Sequence, residues 1–284
     1  MNKKIFNWSK VAAVLTCIAL TWTFSTCDWI GNDEDEGDGY DFEEKYEYKQ
    51  GTSTSKETKA ELDNTNFGLY KGVIVGSSGT IRMEINNGDV LTPLRVDFNI
   101  NNRGEMMFPS STFTKGEAIV DATFTGYSSS LTFSVDADGK NPVISNFYVE
   151  GHDTVMAIVY KEKSKDVVTC FEGTFEGKNK DEGVFNVVRN NNEYSGIIKG
   201  SDGFTAIVSG TIKSDNTFIG STKSLFQPPG TEGVILDVSM TFSGKFTITD
   251  VVEGKWQTSW SLEGKSYTNS GTFWGSKTLY SWVN

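Results

Sequence analysis

Leu94-Arg95-Val96-Asp97-Phe98-Asn99-Ile100 decides the fold class. Apolar residues occupy every second position, with polar ones between them. A strand turns successive side chains to opposite faces, so this spacing puts one face on a core and the other in water. On a helix the same residues would scatter around the whole circumference. The pattern returns at Ile81, Met83 and Ile85 around Arg82 and Glu84, and again at Val234, Leu236, Val238, Met240 and Phe242. Turn-forming groups punctuate these runs: Asn87-Gly88, Asn102-Arg103-Gly104, Asp138-Gly139, Asp202-Gly203 and Gly264-Lys265. From Asn66 onward the chain therefore reads as an antiparallel meander of hairpins, an all-β protein. Neither an amphipathic helix nor a βαβ alternation interrupts it.

The β region contains an internal repeat. Tyr70-Lys71-Gly72-Val73-Ile74-Val75-Gly76 matches Phe171-Glu172-Gly173-Thr174-Phe175-Glu176-Gly177. Each copy continues with a Gly and an alternating strand, Gly79, Ile81, Met83 in the first and Gly183, Phe185, Val187 in the second. Each copy has length for about eight short strands, enough to close a small barrel. The charged stretch Lys161–Asp166 divides the copies, giving β domains at 65–165 and 166–284. The alternative is one long sandwich or barrel built from both halves. Aromatic-x-Gly steps recur at Phe242-Ser243-Gly244, Tyr194-Ser195-Gly196 and Gly271-Thr272-Phe273-Trp274-Gly275. Gly lets a strand coil sharply, and the neighbouring ring covers the gap. Over residues 66–284 this texture resembles lipocalin- and avidin-type meander barrels. It also resembles barrel domains of surface lipoproteins that capture host proteins.

The first 26 residues have a different character. Lys3, Lys4 and Lys10 form a basic start, and Val11–Trp22 is an apolar run too short for a permanent span. This is the layout of a secretory signal peptide. Phe24-Ser25-Thr26-Cys27 resembles a bacterial lipobox, with Phe24 and Thr26 departing from the usual Leu/Val and Gly/Ala. The resemblance implies cleavage before Cys27 and acylation of that residue. Cys17 competes, but it lies inside the apolar run. Cleavage before Cys27 would leave the mature chain with Cys27 and Cys170, and a lipidated Cys27 would leave no intramolecular disulfide.

Residues 27–64 read as an acidic, disordered tether. From Asp28 onward they hold 13 acids against four Lys, most of the chain's net −11. Sparse apolar residues and mutual repulsion favour an extended linker. Asp33, Glu34, Asp35, Glu36 and Asp38 supply calcium-type oxygens but no fixed cage, so no metal is assigned. The segment resembles the acidic tags that mark surface lipoproteins in some diderm bacteria. That resemblance implies an outer-membrane lipoprotein facing the cell exterior.

Composition excludes several function classes. The acidic balance argues against nucleic acid, which needs clustered Lys and Arg. A single His removes most zinc sites and His-dependent catalysis. That residue, His152, follows Gly151 in a turn, and adjacent strand positions would point it and Asp153 to opposite faces. Asp136-Ala137-Asp138-Gly139-Lys140-Asn141 lacks the later acidic ligand of a calcium loop and reads as a hairpin turn. Cys170 opens an apolar strand and reads as a buried thiol. Glu150, Asp237 and Glu263 are carboxylates that nothing in the sequence pairs.

The Trp residues are more informative. Four of seven, Trp256, Trp260, Trp274 and Trp282, fall near the C-terminus. Trp256, Thr258, Trp260 and Leu262 share one strand face, opposite the polar Gln257, Ser259 and Ser261. Facing inward they fill a barrel or line a cavity; facing outward they make a stacking platform. The expectation is a lipid-anchored, non-catalytic binding protein without cofactor or metal. Its partners are the membrane, through lipid on Cys27, and a glycan, a small apolar ligand or a protein. Trp256 and Trp260 are the candidate ligand residues. Ligand or glycan capture in the C-terminal barrel is the first alternative, and a carboxylate-dependent glycoside hydrolase the second.

Overall fold

The computed structural model describes residues 58–278, apart from 76–77, 89–93, 101–102, 153, 179–180, 202, 227–235 and 263. The signal peptide, Cys27, nearly all of the tether and Trp282 lie outside the described residues.

The alternating runs form strands, and the strands make two antiparallel eight-stranded sheets. The first contains β1 (Gly68–Val75), β2 (Gly79–Ile85), β3 (Leu94–Ile100), β4 (Arg103–Pro109), β5 (Ile119–Thr125), β6 (Ser129–Val135), β7 (Val143–Val149) and β8 (Met156–Glu162). The second contains β9 (Val168–Gly177), β10 (Glu182–Asn190), β11 (Glu193–Gly200), β12 (Thr205–Thr211), β13 (Thr217–Phe226), β14 (Leu236–Phe246), β15 (Val251–Leu262) and β16 (Lys265–Thr278). Both sheets curl into nearly closed barrels, so the protein is two tandem all-β domains. Each has one seam: between β7 and β8 in the first, and between β12 and β13 in the second. A bridge from Ile212 to Phe218 spans the second seam.

The repeat marks the first two strands of each barrel, and its glycines have a steric cause. β1 pairs with β8 and β9 pairs with β16, so the first strand of each barrel meets the last. A Cβ on Gly72 would lie 1.8 Å from Ile158 O; on Gly173 it would lie 2.0 Å from Trp274 O. The second pair works against the third strand: a Cβ on Gly79 would lie 2.0 Å from Asn99 O, and on Gly183 2.1 Å from Lys199 O. The repeat thus places the missing side chains where strands crowd as the sheet coils. Two β-bulges add curvature to the first barrel, with Asp121 (φ 49°) and Asn146 (φ 48°) in left-handed conformation.

Each lumen is filled. Tyr70, Ile81, Met83, Val96, Phe98, Phe124 and Phe133 pack the first barrel. The second is more aromatic, with Phe185 stacked on Phe273 at 4.2 Å and Tyr194 tilted on Phe218 at 4.6 Å. Residues 58–67, at the end of the segment read as tether, lie across one end of the first barrel. A 3-10 turn (Ala60–Leu62) buries Leu62. Lys161 donates from Nζ to Leu62 O (2.7 Å), Phe67 O (2.8 Å) and Thr65 O. Burial lowers this ammonium to about 8, and Asp63 opposes that shift. The buried Asn66 donates to Thr114 O (2.9 Å) and accepts from Gly116 N (2.8 Å), fastening the β4–β5 loop over the same end.

The barrels pack side by side through outward faces. Val73, Ile158 and Tyr160 of the first meet Val168, Cys170 and Val188 of the second. Cys170 is buried there, as the sequence implies. Asn186 crosses the junction: Nδ2 donates to Ile74 O (2.7 Å), and Oδ1 accepts from Gly173 N (3.2 Å). Tyr160 Oη and Ser195 Oγ share a 2.8 Å hydrogen bond. At the linker, Lys71 and Glu162 form a buried ion pair at 2.8 Å, and Glu162 accepts Val168 N (3.1 Å). Glu172 lies on the same face of β9 as Cys170, and burial raises its carboxyl to about 7.

Two outcomes follow. Gly173→Ala forces β9 from β16 and lowers stability by about 3 kcal/mol, the upper end for overpacking, measured by urea unfolding. Glu172 titrates at about 7 in the folded chain and at about 4.3 when unfolded, so the native state holds the extra proton between those values. Its contribution to stability therefore falls as pH rises from about 4.3 to above 7. Glu172→Gln removes that fall: its thermal midpoint matches the parent at pH 4 and exceeds it by several degrees at pH 8.

Candidate functional site

The second barrel is uneven in height. β9 ends at Gly177, opposite Gly271 of β16, whereas β16 runs on to Lys265. The projecting stretch of β16 is about 20 Å long, at the usual strand rise of about 3.4 Å per residue. It is paired throughout with β15, which is paired in turn with β14. These strands form a wall above the rim, and its inner face continues the lumen face.

The candidate residues lie on that inner face. Trp256 is buried at the foot of the wall, 4% exposed. Its ring meets Phe175 edge-on at 5.7 Å, and its Nε1 donates to Glu176 O at 3.2 Å. A Cβ on Gly177 would touch this ring, so Gly177 leaves the space Trp256 fills. Trp256 therefore caps the packed core. Thr258 comes next and is also buried. Trp260 follows, half-buried and stacked on Tyr267 with centroids 5.7 Å apart and planes 13° from parallel. Gln257, Ser259 and Ser261 face out and are exposed, as the alternation implies. The sequence face thus holds two kinds of position: Trp256 is structural, and Trp260 is presented.

Sequence reasoning missed the neighbours. Tyr267 stands opposite Trp260, and Asn269 stands opposite Thr258. Asn269 is buried, donates from Nδ2 to Asp181 Oδ2 and accepts Ser270 N (2.8 Å). Asp181, exposed in the β9–β10 loop, places a carboxylate beside the inner face. Trp260 Nε1, Tyr267 Oη and Thr258 Oγ1 make no hydrogen bond among the described residues, so the aromatic pair carries open polar ends.

Other sequence candidates lie elsewhere. His152 sits in the β7–β8 turn of the first barrel, bridged to Val149; Asp153 is outside the described residues. Asp136–Asn141 forms the β6–β7 turn, with Asp136 N bonded to Lys140 O (3.0 Å) and Asn141 Nδ2 to Asp136 Oδ2 (2.7 Å). Glu150 and Asp237 belong to different barrels, and Glu263 lies outside the described residues. Trp274 points outward from β16 and is 51% exposed. Among the described residues, no group of three or more His, Cys, Asp and Glu could hold a metal ion. Comparison with protein families, characterised proteins and solved structures found no match.

The two tryptophans separate experimentally. Trp256→Ala opens a cavity under the rim and costs about 3–5 kcal/mol of stability. Trp260→Ala loses one ring contact and costs about 1 kcal/mol. Urea unfolding of the two variants reads both values.

Proposed function

We propose that this chain is a lipid-anchored, surface-exposed lipoprotein of a bacterial outer membrane, whose barrels bind a ligand or partner without catalysis. The observation that carries the binding half is the wall of β14, β15 and β16. It lifts a half-buried aromatic pair above a packed core. Such a pair, apolar in area with polar ends, is the usual make-up of a contact surface.

The anchor half rests on the N-terminal sequence. A basic start, an apolar run and Cys27 supply the acylation signal. Each buried methylene of an acyl chain contributes about 0.8 kcal/mol, so several chains hold the protein firmly. The acidic stretch after Cys27 repels itself and sets the barrels off from the surface. Among the described residues the 58–67 segment comes first, and Lys161 pins it to the first barrel.

Mass spectrometry of the mature chain from intact cells should find a cleaved and acylated Cys27. Cys27→Ser should move the protein out of the membrane fraction. External protease should remove the barrels from intact cells. An unmodified Cys27, or barrels protected while other surface proteins are cut, would overturn the reading.

A further inference from the structure

We infer that the inner face of the β15–β16 wall is a carbohydrate subsite, with a neutral pyranose stacked on the Trp260–Tyr267 pair. This rests on the binding reading above and names its ligand class.

Three observations favour a sugar over a small apolar molecule. First, the lumen is occupied. Trp256 is 4% exposed across its top, and Phe175, Phe185, Phe242 and Phe273 fill the space below. An apolar ligand would need that space; a ligand seated on the wall need only be flat on one side. Second, the aromatic surface is amphipathic. The two rings lie within 13° of parallel, beside Trp260 Nε1, Tyr267 Oη and Thr258 Oγ1 with no protein partner among the described residues. A pyranose offers the matching surfaces, C–H bonds on its faces and hydroxyls around its edge. Third, the wall's foot holds an acceptor. Asp181, bonded by Asn269 Nδ2, places a carboxylate there, a group that accepts hydrogens and donates none when ionised. Its charge also disfavours an anionic ligand. Asn269 lies two positions from Tyr267 on the same face, about 7 Å along the strand, so one sugar unit reaches both.

The test uses the full-length chain in a sugar-free detergent, titrated with cellohexaose, xylohexaose, mannohexaose, maltohexaose and chitohexaose. Controls are an oligogalacturonate and dodecanoate. Intrinsic tryptophan fluorescence and calorimetry follow binding. At least one neutral hexasaccharide should saturate with Kd below about 1 mM. Trp260→Ala and Tyr267→Ala should each weaken it about tenfold or more, and Trp260→Phe should retain most of it. Trp274→Ala, on the outer face, should leave it unchanged. Circular dichroism melts confirm that each variant is folded. No saturation by any neutral hexasaccharide overturns the inference, as does equal affinity in Trp260→Ala. Binding of dodecanoate alone, abolished by Trp260→Ala, overturns the sugar class, and binding of oligogalacturonate alone, abolished likewise, overturns the neutral charge; either result keeps the wall as a binding surface. Failure of the anchor leaves these titrations unaffected.

Discussion

Both barrels depend on one steric condition: the first strand must lie against the last with no Cβ between them. Ile158 O and Trp274 O occupy the places where side chains on Gly72 and Gly173 would begin. Once β1 meets β8 and β9 meets β16, each sheet has an inside. Large aromatic residues can then be buried at close to crystalline density, and water is excluded from backbone that would otherwise form an open edge. The outward faces of the closing strands are also where the barrels touch. Val73 lies on one and Val168 and Cys170 on the other. Closure and docking therefore use the same strands, on opposite faces.

That double use explains where the sequence was legible and where it was not. β3 shows clean alternation because only one of its faces meets a core, and its burial follows the pattern. β1 is buried along its whole length, and its apolar residues fall on both parities. A strand between two cores gives no periodic signal. Lys71 on that strand would read as a solvent-facing charge, yet it is buried against Glu162, a partner 91 residues away. No local pattern reports such a pairing. The same reason hid the ordering of residues 58–64. Their composition is that of a linker, and order comes from Lys161 and Ser164, partners 99 and 101 residues further along the chain.

The rim divides likewise. The shared face of Trp256 and Trp260 was visible in the alternation, and the polar Gln257, Ser259 and Ser261 opposite it favoured the inward direction over the outward one. The difference between a capping ring and a presented one was not, because it depends on strand height. Tyr267 left a usable signal: counting outward from the turn at Gly264 pairs Leu262 with Lys265 and hence Trp260 with Tyr267. Asp181 left none, since it reaches the wall from a loop about ninety residues earlier in the chain.

The two seams give the barrels different routes to the folded state. In the first, seven strands follow one another as hairpins before β8 returns to β1. The second is two four-stranded meanders, β9–β12 and β13–β16, which among the described residues are joined by the ladder of β9 with β16. Pairings between sequence neighbours close small loops and form early; pairing Cys170 with Thr278 closes a very large one. Each meander can therefore take shape alone, and joining them is the slow step. Until it is complete, β9 and β16 are unpaired edges with rows of free amides and carbonyls, and the pathway is most open to aggregation then.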